Sequence, residues 1–267
     1  MSASIDSELK KAAKGTAIIF SGSIVNLLLA FIIKILIVRN TTQSEFGVYS
    51  LSITVVGIIT LVSALGLKSG VARYISYFKG RGDEENAKRV SGISLKIGIA
   101  TGTVSFLALF ILSVPLSNNL FHLPDMAQPL KILSFVIPFI VVNNIFIAIL
   151  RGRGRFKEKV YFMDTGQPLV FLILTILFLL VKLPYIYFIV AYLLSRATVS
   201  VLLSLNARKH HYIGRLTVHS DKLLGKEMLL FSIPLMIISL KQVAYNRVDT
   251  LMVGYLMGPE NVAIYDV

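Results

Sequence analysis

The 267-residue sequence has no cysteine and no tryptophan, and only 14 acidic residues stand against 27 lysines and arginines. Without cysteine there is no disulfide framework, no CxxC redox pair and no thiolate metal site. Without tryptophan, the eleven tyrosines are left as the aromatic anchors at a membrane interface. Charge of either sign is scarce, at 15% of positions, where a soluble domain carries about 25%. What fills the space is apolar: 55% of positions are hydrophobic and the mean hydropathy is +0.75. That balance excludes an ordinary soluble domain and places the chain in the polytopic membrane class.

A bilayer core about 30 Å thick needs roughly 20 apolar helical residues at 1.5 Å each. Residues 16–38 supply 23 with a single charge, Lys34, and residues 46–67 supply 22 with none. Further apolar stretches follow at about 90–116, 129–150, 164–181, 185–206 and 227–248. The net charge of +13 is segregated among the loops. Three lysines precede the first span, six cations lie in 68–89, five in 151–159 and five in 208–226, whereas the intervening loops hold few. Alternation of this kind is the positive-inside pattern and puts the N-terminus in the cytoplasm. Nucleic-acid binding would need one contiguous basic face, which this distribution does not make. The N-terminal MSASIDSELKKAAKG carries Asp6 and Glu8 and no small-residue cleavage site, so the first span is expected to remain in a multi-pass protein of the cell membrane.

The expected fold is all-α, a transmembrane helix bundle. Residues 1–206 form a six-helix lobe, 207–226 a cytoplasmic linker, and 227–267 the start of a second lobe with span seven and an incomplete span eight. Two short similarities suggest an internal repeat of the kind found in secondary transporters. KGTAIIFS resembles KEMLLFS, and SEFGVYSL resembles PENVAIYDV, in the same order and topology.

The runs IVRNTTQSEFGVYSLSITVV and LGLKSGVARYIS, together with SIPLMIISLKQVAYNRVDTLMVGYLMGPENVAIYDV, resemble the polysaccharide-biosynthesis flippases. These are the Wzx-type members of the multidrug/oligosaccharidyl-lipid/polysaccharide exporter superfamily. The resemblance implies a MATE-like fold of about twelve to fourteen helices in two pseudo-symmetric lobes around a central cavity. It also implies movement of a lipid-linked oligosaccharide from the cytoplasmic to the external leaflet. This chain is roughly half of such a protein, so a missing C-terminal half or a second chain is expected to complete the transporter.

Ionisable groups at membrane depth cost about 2.5–3.5 kcal/mol on insertion scales and usually face a cavity or a partner. Lys34, near the external end of span one, either snorkels or faces the lobe interface, and Asn26 lies about 80° around the helix from it. Arg196 stands about eleven residues into span six, too deep for easy snorkelling. Span seven contains Lys241, Gln242, Asn246, Arg247 and Asp249, the most polar run in any span. The expected site is a cationic cavity of Lys34, Arg196, Lys241 and Arg247 with Asp249 as counter-ion, suited to an anionic diphosphate. Lys96 and Lys131 are expected at the interfaces, Asn143 and Asn144 as helix-joining amides, and Asp164 as a cap at the start of span five. Gly98 and Gly102 have GxxxG spacing for close helix packing. Adjacent His210 and His211, with His219, lack the third fixed spacing of a metal site, and nothing in the pattern calls for a cofactor.

The leading reading is a flippase of polyprenyl-diphosphate-linked sugars rather than an enzyme. A drug or cation antiporter of the same superfamily would favour an acidic pair deep in the first lobe, and the first four spans contain no Asp or Glu. A membrane-embedded lipid-modifying enzyme would need carboxylates or histidine set for acid–base work, and the external loops offer only Glu45, His122 and Asp125. The topology is testable because the chain has no native thiol. Cysteines introduced as Arg155→Cys and Asp125→Cys should react with an impermeant maleimide from opposite sides of the membrane. Labelling of both from one side would overturn the alternation.

Overall fold

The structure, a computed structural model, describes residues 2–214 and 221–266, and the side chains among them other than those of residues 2–14, 221, 222, 242–244 and 246. His219 and the side chains of Gln242 and Asn246 therefore lie outside the described residues. Among the described residues all regular structure is helical. The chain begins with α1 (Ser2–Arg39) and α2 (Gln43–Ser63), then α3 (Leu67–Gly80) and α4 (Glu84–Pro115). After α4 come the short α5 (Ala127–Ser134), α6 (Val136–Gly152) and α7 (Phe156–Lys159). The remainder is α8 (Gln167–Leu180), α9 (Ile186–Lys209), α10 (Asp221–Met257) and α11 (Pro259–Asp266). Among the described residues six helical stretches are long and apolar enough to cross a membrane, with a seventh where the bent pair α5–α6 is counted as one span.

Local chemistry sets the boundaries. Thr42 caps α2 in a reciprocal box: the Glu45 N–H donates to Thr42 Oγ1 at 3.2 Å, and the Thr42 N–H donates to Glu45 Oε2 at 2.8 Å. Asp83 caps α4 by accepting from the Asn86 N–H at 3.0 Å and from the Asn86 side chain. Those hydrogen bonds hold the Asp83 carboxyl below its ordinary value. The 42° bend between α5 and α6 falls where Pro138 has no N–H to offer the Ser134 carbonyl.

Four boundaries differ from the sequence expectation. Residues 68–80, expected within a connector at 68–89, lie in α3, because Leu67, Gly70, Val71 and Ile75 bury one helical face. Span four is two helices rather than one. Span five begins at Phe156 rather than at 164, since a π-helical turn over Val160–Gly166 joins α7 to α8. Finally, α10 continues through the polar run and ends only at Met257, where Gly258 adopts φ +83° and Pro259 starts α11.

The bundle packs in two buried clusters. The larger joins α2, α3, α4, α5, α6, α9, α10 and α11; the smaller joins α1, α2, α8, α9 and α11 around Ile33, Phe46, Phe171 and Phe188. Outward positions such as Phe20, Leu27, Phe31, Ile111 and Leu180 are exposed, as lipid-facing residues must be. Lipid tails are as apolar as leucine, so helices join through close packing of small residues. Gly98 and Gly102 of α4 face α6 in this way: a Cβ on Gly98 would collide with Ile145, and one on Gly102 would sit 3.1 Å from Pro138 Cα. The same device seats α10 and α11 on the first helices. Gly66, at φ +68°, and Gly70 abut Ser232, Gly47 abuts the Pro259 carbonyl, and a Cβ on Gly254 would meet Leu51 at 2.7 Å.

Gly98→Val should therefore lower stability by about 1–3 kcal/mol through overpacking against Ile145. The thermal midpoint followed by far-ultraviolet circular dichroism measures it, and an unchanged midpoint would show that α4 and α6 do not depend on this contact.

Candidate functional site

A cleft of about 430 Å³ opens between α1, α2, α8 and α9 on one side and the ends of α10 and α11 on the other. The wall contributed by α1 is a single helical stripe, Asn26, Ala30, Ile33, Lys34 and Ile37, at spacings that return to one face. From α2 come Phe46, Tyr49, Ser50 and Ile53 at the same periodicity, and α9 adds Tyr192 and Arg196 one turn apart. The far side supplies Arg247 and Asp266.

Arg196 is the most tightly built of these groups. Its Nη2 donates to the Tyr192 hydroxyl at 3.1 Å, and the guanidinium stands 5.0 Å from that ring's centroid. Its Nε is buried without a hydrogen-bond partner. The backbone beneath is fixed by Asn143 on α6, whose Nδ2 donates to the Arg196 carbonyl at 3.2 Å and whose Oδ1 accepts from Ser200 at 2.7 Å. Gln167 at the start of α8 donates to Ser195 Oγ at 3.2 Å, tying α8 to the same turn of α9.

Asp266 gathers the remaining polar groups. Its carboxylate accepts from Ser50 Oγ and lies 3.7 Å from Arg247 Nη1, while Lys34 Nζ donates to its main-chain oxygen. One residue on α11 thus holds α1, α2 and α10 together. Ser50 and Asp266 each follow the tyrosine of the similar segments SEFGVYSL and PENVAIYDV, and the two stretches touch through this contact. Sequence reasoning had set Ser50 and Asp266 in similar segments without marking either as a site residue.

Of the expected site residues, Lys34, Arg196 and Arg247 converge on the cleft, with Asn26 beside them. Lys241 is exposed and stands away from it. Asp249 is not part of the lining; its carboxylate accepts from the Tyr265 hydroxyl and from the Thr250 N–H at 2.8 Å. The carboxylate that ion-pairs with Arg247 is Asp266. Asn143 joins helices, as its amide chemistry suggests, whereas Asn144 lines a second cavity. Asp164 does not cap a helix start. It lies inside the π-helical turn and pairs with Lys159 at 2.5 Å. Lys96 and Lys131 are exposed, and His210 stacks on Tyr212 with ring centroids 5.3 Å apart. Asn143→Val should destabilise the α6–α9 contact by about 1 kcal/mol, since interhelical hydrogen bonds in membranes average about 0.6 kcal/mol and two are lost. Unfolding of the solubilised protein by denaturant measures the loss; no change in midpoint would place the support of α9 elsewhere.

Comparison with known proteins agrees with this architecture. The profile of the family described as polysaccharide biosynthesis protein matches residues 12–267. The chain is 24% identical over 159 residues to stage V sporulation protein B of Bacillus subtilis, a match covering 58% of this chain and 29% of that protein. Among solved structures it superposes on a MOP superfamily transporter from Pyrococcus furiosus with a TM-score of 0.77 and 21% identity. That superposition covers 96% of this chain and 58% of the Pyrococcus chain. An inward-facing multidrug resistance MATE family transporter of the same superfamily gives a TM-score of 0.68 at 20% identity, over 91% of this chain and 59% of that one. The chain thus has the helical fold of these proteins and spans less than two thirds of their length.

Proposed function

The chain belongs to the polysaccharide biosynthesis protein family, and from that membership and the cationic cleft we propose that it serves to flip a polyprenyl-diphosphate-linked oligosaccharide across the cell membrane. The observation that carries the reading is the convergence of Lys34, Arg196 and Arg247 on one cleft at the junction of the first six spans with α10 and α11. Two unit charges about 4 Å apart attract by about 4 kcal/mol at an effective dielectric near 20, so three cations facing one apolar-walled cleft favour a diphosphate strongly. Phosphate oxygens also suit the planar donors of Arg196 and Arg247 and the point charge of Lys34. Movement would follow from rocking the α10–α11 side against the first helices, with the Asp266 contacts breaking and re-forming. A further set of helices, from the same or a second chain, would supply the rest of the far wall. An antiporter of cationic drugs would need a free carboxylate in the cleft, and the Asp266 carboxylate is engaged by Ser50 and Arg247.

Export of the lipid-linked oligosaccharide by the intact transporter in its own membrane tests this. Lys34→Gln, Arg196→Gln and Arg247→Gln should each reduce export by about tenfold or more, as expected for loss of a charge-assisted contact. Lys241→Gln, away from the cleft, should leave export near its normal rate. Full export by all three cleft variants would refute the reading.

A further inference from the structure

A second cavity of about 480 Å³ lies beside the first, toward the end of the bundle where α3, α6 and α7 meet. The two share Asn26, Gln167 and Arg196 as a common wall. Beyond that wall the second cavity adds Lys68 from the start of α3, Arg151 from the end of α6 and Lys159 from the end of α7. Its single acidic lining residue is Asp164. Four cations therefore face one carboxylate, and the neutral amides of Asn26, Asn144 and Gln167 fill the gaps.

The carboxylate is delivered by the π-helical turn. In a regular α-helix, residues five apart point about 140° away from each other. The wider turn over Val160–Gly166 instead brings Asp164 back to Lys159, with Nζ–O distances of 2.5 and 2.7 Å. Asn26 of α1 steadies the turn by donating to the Asp164 carbonyl at 3.1 Å. This pairing neutralises Lys159 only. Among the described residues Lys68 and Arg151 make no ion pair or side-chain hydrogen bond, and the Arg196 Nε is buried and unpartnered. Lys68 is still open to the cleft, yet partial desolvation and then the Arg151 and Lys159 charges lower its ammonium below the ordinary lysine value. An anion seated among these groups would relieve that repulsion. Other basic residues of the same segment stay outside the lining, among them Lys157 and Arg155, which pairs with Glu158 at 3.3 Å.

We propose that this cavity is a second anion site, shaped for a phosphate or diphosphate group, and that Asp164 is its resident counter-ion, which holds Lys159 until the incoming anion displaces it. The proposal does not depend on transport. Arg196, common to both cavities, would let an anion pass between them without leaving cationic contact.

Inorganic pyrophosphate titrated into the detergent-solubilised chain provides the test, with thermal melting as the check on folding. Pyrophosphate should bind; Lys68→Gln and Arg151→Gln should each weaken it about tenfold, as loss of a charge-assisted contact does. Asp164→Asn, which keeps the side-chain size and removes the competing charge, should tighten binding several-fold, and Lys157→Gln, exposed and outside both linings, should leave it unchanged. Competition then identifies the source of the group. Displacement by polyprenyl diphosphate but not by phosphatidylglycerol nanodiscs points to a glycan-carrier lipid, and displacement by the nanodiscs points to membrane headgroups. Absence of pyrophosphate binding, binding lost with Lys34→Gln but kept with Arg151→Gln, or weaker or unchanged binding in folded Asp164→Asn would each overturn the proposal. Lys68 and Arg151 lie outside the first cleft, so unchanged binding in Lys68→Gln and Arg151→Gln overturns this site and leaves the first cleft standing, and a failed export test leaves this site standing.

Discussion

A guanidinium halfway along an apolar helix must find an acceptor, an aromatic face or water, and the position of Arg196 on α9 imposes that demand on its surroundings. Tyr192 meets it from one turn away, Gln167 and Ser195 fix the backbone register, and Asn143 and Ser200 lock α9 against α6. The apolar exterior of α1, α4 and α8 can face lipid because this polar set is gathered inside. Both cavities are the space left around the Arg196 head group, and each is bounded by helices that the same set holds in place.

The second dependence is on closeness. Where Gly47, Gly66, Gly70 and Gly254 stand, backbone meets backbone or side chain with no room for a Cβ, and α10 and α11 lie directly on α2 and α3. That approach brings Ser50 and Asp266 into contact and lets Arg247 and Lys34 share one carboxylate residue. The junction joins these close glycine contacts and polar groups to apolar packing, since Met228 and Val262 belong to the larger buried cluster and Ala263 to the smaller.

Much of this was legible in the sequence. The apolar runs located the spans, and Gly98 and Gly102 announced the α4–α6 contact. The cations Lys34, Arg196 and Arg247 stood out because charge within an apolar run at membrane depth is rare. Boundaries were less legible. The amphipathic α3 was hidden by its charges, and the polar run Lys241–Asp249 suggested an end to a helix that continues to Met257, since nothing before Gly258 breaks it. Lys68, Arg151 and Lys159 looked like topological charge alone, because positive loops are expected on one side and hydropathy does not say which of their residues turn inward.

By itself the sequence determined the membrane class and the number and approximate place of the spans, because hydropathy and charge along a chain are local quantities; the family came from the resemblance of particular runs of residues. Only the tertiary structure decided which charges meet. Lys34, Arg196 and Arg247 share a cleft while Lys241 stands apart, Asp266 rather than Asp249 ion-pairs with Arg247, and Asp164 answers Lys159 instead of capping a helix. Each of those outcomes turns on the rotation of a helix about its axis, which changes by about 100° per residue. A single π turn in the chain between α7 and α8, or a glycine that lets α11 settle on α2, is enough to redirect a side chain from lipid to cleft.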